Sequence, residues 1–172
     1  MPNNSFEGGL KFTFPDNWQV FRPGKSAYYK RHFQSFCRGC KETDFAAWDS
    51  SNHTLWLCEV KDYSSSPRSK TQDLIDEVAE KTRDTLALLA SATANANPDK
   101  AGTKDFATSC LPARQIRVVL HLELPAKPSK LYPPLKLSTD ATQSLRRKLR
   151  CIDPHALVVS TQLPHMVPWV VR

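Results

Sequence analysis

The sequence predicts an α/β fold: a three-layer sandwich in which a mixed central β-sheet is flanked by helices. Segments with the alternating pattern of strands and segments with helical spacing follow one another in the order helix, hairpin, helix, strand, helix, strand. The 172 residues are enough to bury one sizeable core. We therefore expect a single domain over 1–172, with an N-terminal arm or strand at 1–24, a core at 27–161 and a tail at 162–172.

The first helix is expected over 27–37, with Ser26 as its N-cap. Before it, aromatic alternation over 10–18 predicts a short strand or a packed arm. Helical spacing predicts that Tyr28 lies on the exposed side of the helix. The residues predicted to face the core are Tyr29, Phe33 and Phe36.

A β-hairpin is predicted next. Two strand-like segments, 43–49 and 54–59, are joined by the turn formers at 50–53. A four-residue loop pairs Asp49 with Thr54 and fixes the register of the two strands.

This register determines which charged side chains meet. It sets Asp44 directly opposite Glu59 and Glu42 opposite Lys61, and opposed side chains share a face with Cβ atoms about 4.5 to 5.5 Å apart. Lys61 follows Glu59 by two positions and lies on the same face. Asp49 points to the other face, which makes it a poor candidate for the same site.

The second strand of the hairpin is apolar on both faces until its end. Leu57 shares a face with Glu59, while Cys58 and Val60 occupy the other face. Charged groups in such a strand need a partner, because desolvating an unpaired carboxylate costs several kcal/mol, roughly. Two converging carboxylates suit a hard divalent cation, and strand ends are where α/β sheets keep their sites.

This arrangement resembles the PD-(D/E)XK nuclease superfamily, which has the restriction-endonuclease-like fold. The matching residues are Asp44 and the run Glu59-Val60-Lys61, and Thr43 stands where the nominal motif has proline. The resemblance implies an Mg²⁺-dependent (or Mn²⁺-dependent) endonuclease acting on phosphodiester bonds, with DNA favoured over RNA. It further implies that Asp44, Glu59 and the backbone carbonyl of Val60 hold the metal, and that Lys61 orients or activates water.

Two other interpretations of these residues stay open at this point. The chain could be a non-catalytic nucleic-acid-binding or assembly protein on the same fold. Alternatively, the charges could be structural, as a solvated strand face with a cross-strand pair between Glu42 and Lys61 that is worth a few tenths of a kcal/mol, roughly.

A net charge of +7 and a sequence pI near 9.3 are compatible with a polyanionic partner. The loop at 64–70 is an ordinary polar connection or a phosphate-contacting loop. The cations at the end of the last helix are explained equally well by the helix dipole and by a nucleic-acid backbone. The candidate nucleic-acid contacts are Arg68, Lys70, Gln72, Arg146, Arg147, Lys148 and Arg150.

The longest helix is expected over 72–92, as a scaffold element with a favourable i,i+4 pair between Glu77 and Lys81. A polar connection is expected from its end to Leu111. The remaining predicted elements are a strand over 115–124, a proline-rich loop over 125–134, a helix from 138 or 139 to 149 and a last strand over 156–161. Trp169 lies on a tail that is expected to dock on the body of the domain.

The pair Cys37 and Cys40 forms a C-x-x-C, which is half of a zinc site or a redox pair, or else a helix end at which Gly39 stops the helix. The N-terminus lacks the features of a signal peptide, and no run of apolar residues is long enough for a membrane span. We therefore expect a cytoplasmic protein with no membrane partner. Oligomeric state is left open, with a homodimer among the alternatives.

Overall fold

The computed structural model describes residues 3–65, 73–94, 102–125, 134–163 and 167–172. It contains the elements of an α/β fold, as predicted. The strands are β1 (Asn3–Glu7), β2 (Leu10–Phe14), β3 (Gln19–Phe21), β4 (Phe45–Asp49), β5 (Thr54–Asp62), β6 (Gln115–Glu123), β7 (Leu157–Val159) and β8 (Val170–Val171), and the α-helices are α1 (Leu74–Ala94), α2 (Thr103–Cys110) and α3 (Pro134–Lys148).

The central layer is a five-stranded sheet with the strand order β3-β4-β5-β6-β7. Strands β3, β4 and β5 pair antiparallel, while β5, β6 and β7 pair parallel, so the predicted mixed sheet is confirmed. The parallel pairs need long crossover connections, and α1 and α3 lie in those connections.

The two faces of this sheet are covered by different layers. On one face, Leu55 and Leu57 of β5 pack with Val78 and Leu89 of α1. On the other face, the small sheet β1-β2-β8 lies against the strands, and the ring of Phe12 is 5.1 Å from that of Phe45. In the described parts of the chain, the buried apolar side chains of the helices all belong to the first face, so a β layer stands where a second helical layer was expected.

The N-terminal arm is a β-hairpin of its own. Gly8 and Gly9 form its turn with φ of 56° and 78°, a left-handed conformation that glycine adopts without steric cost. Trp169 packs against Phe14 of β2 and is only 2% exposed, so the predicted docking of the tail is confirmed.

The first helix, predicted over 27–37, is only partly confirmed. The chain is helical over 27–33, and Oγ of Ser26 accepts the backbone N–H of Tyr29 at 3.1 Å as the predicted cap, but no continuous α-helix reaches residue 37. Its region is a short 3₁₀ turn (Pro23–Lys25), a π-helical turn (Tyr29–Phe33) and a second 3₁₀ turn (Phe36–Arg38). The wide π turn lets Tyr28 reach the core together with Tyr29, and Phe36 is left 56% exposed.

Two further boundaries differ from expectation. The segment 103–110 is a helix rather than a polar connection, because Phe106 and Cys110 recur four residues apart and bury one face. Helix α3 begins at Pro134, where proline fits the first turn of a helix, so it starts before the predicted 138. Most of the predicted proline-rich loop, residues 126–133, lies outside the described residues.

No helix in the described segments is both long enough and apolar enough to cross a bilayer.

Candidate functional site

The hairpin register is as predicted. Asp49 pairs with Thr54 and Phe45 with Cys58, which leaves Asp44 one position before β4, opposite Glu59. The backbone N–H of Val60 donates to Oδ2 of Asp44 at 2.7 Å. The Asp44 carboxylate is therefore tied directly to β5.

Helix α1 holds the segment that carries Asp44. The backbone N–H of Lys41 donates to Oδ2 of Asp84 at 3.0 Å, and that of Thr43 donates to Oγ1 of Thr85 at 2.9 Å. Buried backbone donors need such partners. These two bonds fix the approach to β4 against the helix, so Asp44 is anchored on both sides.

Four charged side chains form an acid–lysine cluster between β5 and α1: Glu59, Lys61, Glu77 and Lys81. Oε1 of Glu59 lies 2.7 Å from Nζ of Lys61 and 2.6 Å from Nζ of Lys81, and Lys61 also donates to Oε1 of Glu77 at 2.9 Å. The side chain of Glu59 is 0% exposed and that of Glu77 is 1% exposed, whereas the two lysines are 14% and 16% exposed. The acids are thus buried and the lysines reach towards solvent.

Burial and the negative charge of Asp44 raise the pKa of Glu59 to about 7, against the attraction of Lys81 and Lys61. Burial also lowers the pKa of Lys61, but the attraction of Glu59 and Glu77 outweighs it and the pKa of Lys61 lies above its ordinary value. Lys61 is therefore an ammonium ion at neutral pH, while Glu59 titrates near neutrality.

Oε2 of Glu59 is buried and has no hydrogen-bond partner among the described residues. Such an atom is costly unless another group binds it. A hard divalent cation fits this oxygen, since Asp44 lies beside Glu59 and both are oxygen donors. In the described part of the chain, no three His, Cys, Asp or Glu side chains form a ready-made metal cage, so backbone oxygen and water would complete the ligand set.

A polar cavity of about 160 Å³ opens beside Asp44. Cations and acids share its wall, and Arg22 and Glu7 are ion-paired. Its lining residues are Glu7, Arg22, Gly24, Lys25, Glu42, Thr43 and Asp44. The cavity gives a ligand of modest size access to the Asp44 side of the site.

The structure brings together Asp44, Glu59 and Lys61, the three residues predicted for catalysis. Glu42 lines the cavity, whereas the ion-pair partners of Lys61 are Glu59 and Glu77. Asp49 is structural: its Oδ1 accepts the backbone N–H groups of the turn residues Ser51 and Asn52.

The predicted nucleic-acid contacts divide into three groups. Arg68, Lys70 and Gln72 lie outside the described residues. Arg146 donates to the carbonyl oxygen of Ala156, and Lys148 forms an ion pair with Asp76. Arg147 and Arg150 are exposed.

The roles of Glu77 and Lys81 in this cluster were not predicted, because the two residues were assigned to an i,i+4 pair with each other. Glu77 instead binds Lys61, and Lys81 binds Glu59, both across the gap to β5. The available signal was their position next to the apolar stripe of α1, since Glu77 directly precedes the fully buried Val78.

The C-x-x-C cysteines are free thiols, with Cys37 exposed and Cys40 half-buried. Gly39 has a φ of 98°, and its N–H donates to the carbonyl of Phe36, so it ends a turn as predicted. The described residues offer these thiols no group of further metal ligands.

No protein-family model matches the chain, and no solved structure matches it. The chain is similar to a cysteine–tRNA ligase of Neisseria meningitidis serogroup A, with 30% identity over an alignment of 210 residues. The alignment covers 96% of this chain and 29% of the ligase. The chain thus spans less than a third of the length of this curated relative. The ligase activity is a property of that longer protein and is not assigned to this chain.

Proposed function

We propose that the chain is an Mg²⁺- or Mn²⁺-dependent nuclease that hydrolyses phosphodiester bonds, with DNA as the first candidate substrate, on a restriction-endonuclease-like form of its α/β fold. The observation that carries the proposal is the buried Oε2 of Glu59, which has no hydrogen-bond partner in the described chain and lies in a site shared with Asp44 and Lys61. A hard cation would satisfy this oxygen and relieve the repulsion between the two acids.

The residues that would hold the metal are Asp44, Glu59 and, through its backbone carbonyl, Val60. A bound divalent ion supplies Lewis-acid charge and lowers the pKa of coordinated water. Asp44 is positioned for this role by the N–H of Val60, and Glu59 by the ammonium group of Lys61, which binds its other oxygen.

Lys61 serves in this proposal as a donor and a positive charge. Its raised pKa keeps the ammonium protonated at neutral pH, so it cannot accept a proton from water. It can orient a water molecule or stabilise the negative charge that develops on a phosphate. Glu77 holds Lys61 in place for either task.

The cavity beside Asp44 supplies a route by which a phosphate can approach. Arg22 and Lys25 stand in its wall, and Lys25 is exposed. Arg22 is paired with Glu7, and Glu42 and Asp44 also line the cavity, so Lys25 is the cation that would contact a phosphate once a metal offsets these acids.

A second candidate is a nucleic-acid-binding protein that does not cut. It is favoured by the ion pairs of Glu59, because Lys61 and Lys81 already neutralise this acid without a metal. The likeness to a tRNA ligase adds RNA to the polyanions that such a protein could bind.

Incubation of the purified protein with plasmid, single-stranded DNA and transfer RNA tests both candidates. We expect cleavage of DNA in Mg²⁺ or Mn²⁺ and none in EDTA. Salt-sensitive binding of DNA without turnover would support the second candidate instead. Metal-dependent cleavage of transfer RNA but not of DNA would show that the protein is a nuclease whose substrate is RNA.

Metal affinity is expected to depend on pH through Glu59. A metal must displace the proton from this carboxyl, whose pKa is about 7, so Mn²⁺ should bind about tenfold more weakly at pH 6 than at pH 8. Calorimetric titration at the two pH values measures the ratio. Equal affinities would contradict the assignment of Glu59 as a ligand.

A further inference from the structure

Lys81 differs from Lys61 in the number of acids that hold it. Lys61 binds both Glu59 and Glu77, at 2.7 and 2.9 Å. Lys81 binds Glu59 at 2.6 Å, its one ion-pair partner in the described chain. A cation bound at Oε2 of Glu59 would weaken the hold of Oε1 on both lysines, which leaves Lys61 anchored by Glu77 and Lys81 with no second acid among its ion pairs in the described chain.

We infer that Lys81 is a metal-gated phosphate contact: it is held by Glu59 in the metal-free protein and is released to bind the nucleic-acid backbone when a divalent cation occupies the site. This inference rests on the proposed function. It assigns to α1 a second cation for the substrate, beside Lys61 of β5.

The charges of the site support the release. With Glu59 ionised, as it mostly is at pH 8, three carboxylates (Asp44, Glu59 and Glu77) face two ammonium groups (Lys61 and Lys81), which leaves one net negative charge. A divalent cation turns this into one net positive charge. A phosphodiester group then restores neutrality. The ammonium group of Lys81 is repelled by the metal and attracted by the phosphate, so it would contact the phosphate.

The geometry supports it as well. The side chain of Lys81 is 16% exposed, so its ammonium group already lies near the surface on a four-carbon stem with several rotatable bonds. It can leave Glu59 without any movement of α1. Thr82, the next residue, is fully buried and keeps this turn of the helix docked.

The test compares Lys81→Met with wild type in binding a single-stranded DNA that carries hydrolysis-resistant phosphorothioate linkages. With Mn²⁺, the variant should bind at least about tenfold more weakly, the loss of one charged hydrogen bond. The slope of log K against log salt should fall by about 0.7, as for one phosphate contact on a single strand. In EDTA the two proteins should bind alike, because Glu59 then holds Lys81.

Lys104→Met is the matched control, since it removes an exposed lysine of α2 and should show no metal-dependent difference. Lys81→Arg keeps the charge and should retain most of the metal-dependent affinity. Thermal melting of each variant shows whether it is folded. Lys81→Met should still bind Mn²⁺ by calorimetry, because Lys81 supplies no ligand.

The outcomes separate this inference from the proposed function. If wild type binds no Mn²⁺, both are overturned. If Mn²⁺ binds normally but Lys81→Met loses no strand affinity, or loses it equally in EDTA, the metal-gated contact is wrong and the proposed function stands.

Discussion

Glu59→Gln is expected to lower metal-dependent cleavage by at least about a hundredfold, since metal catalysis contributes several kcal/mol and each 1.4 kcal/mol, roughly, is a factor of ten. Glutamine keeps the shape of the side chain but loses the charge that attracts the cation. The substitution also removes the repulsion between Glu59 and Asp44. We therefore expect a folded protein whose melting temperature changes little.

The measurement is the cleavage rate at saturating Mg²⁺, with thermal melting of the same sample. Glu80→Gln is the matched control, because Glu80 lies on α1 and pairs with Lys41 at the surface, where the two side chains are 41% and 44% exposed. If Glu59→Gln and Glu80→Gln both cleave at the wild-type rate, the cleavage does not take place at the Glu59 site.

Lys61→Met is expected to have the largest effect on stability, a loss of about 3 to 5 kcal/mol, because it removes the ammonium group that two buried acids share. Glu77 is 1% exposed and loses its 2.9 Å contact with Lys61. Glu59 loses the same partner and keeps its ion pair with Lys81. Methionine matches the lysine stem in length, so packing is largely retained. Urea unfolding at pH 8, where Glu59 is mostly ionised, measures the loss.

The double variant Lys61→Met/Glu77→Leu should recover at least half of this loss, because it replaces both members of a buried ion pair by apolar groups. Lys41→Met breaks the exposed pair with Glu80 and should cost about 0 to 1 kcal/mol. A loss for Lys61→Met no larger than this control would show that the acid–lysine cluster is a surface network.

The hairpin was predictable because its information is local. Turn formers between Asp49 and Thr54 fix the register, and the two-residue period then fixes the face of every side chain, including Glu59 and Lys61. The long helix α1 and the strand β6 were predictable for the same reason, since each carries a full periodic pattern.

Elements of two or three residues have no period to detect. Strands β3 and β8 exist because neighbours supply their hydrogen bonds, and neither is long enough to identify alone. The Gly8-Gly9 turn was a usable hairpin signal between β1 and β2. The π turn at 29–33 depends on burial of adjacent tyrosines, which spacing does not reveal.

The partners of Glu77 and Lys81 depend on how α1 docks on the sheet. Their spacing of four residues offered a sufficient local explanation, so nothing in the sequence demanded a distant partner. The unusual burial of Glu59 was the better clue. A fully buried carboxylate requires cations, and the next helix was the nearest element able to supply a second one.

Calorimetric titration of Mn²⁺ into wild type and Asp44→Asn tests the central claim, that Asp44 and Glu59 jointly hold a divalent cation. We expect one site in wild type and affinity at least about tenfold weaker in Asp44→Asn, with Asp105→Asn on the exposed side of α2 binding as wild type does. Wild type that takes up no metal, or Asp44→Asn that binds it with unchanged affinity, would contradict the account.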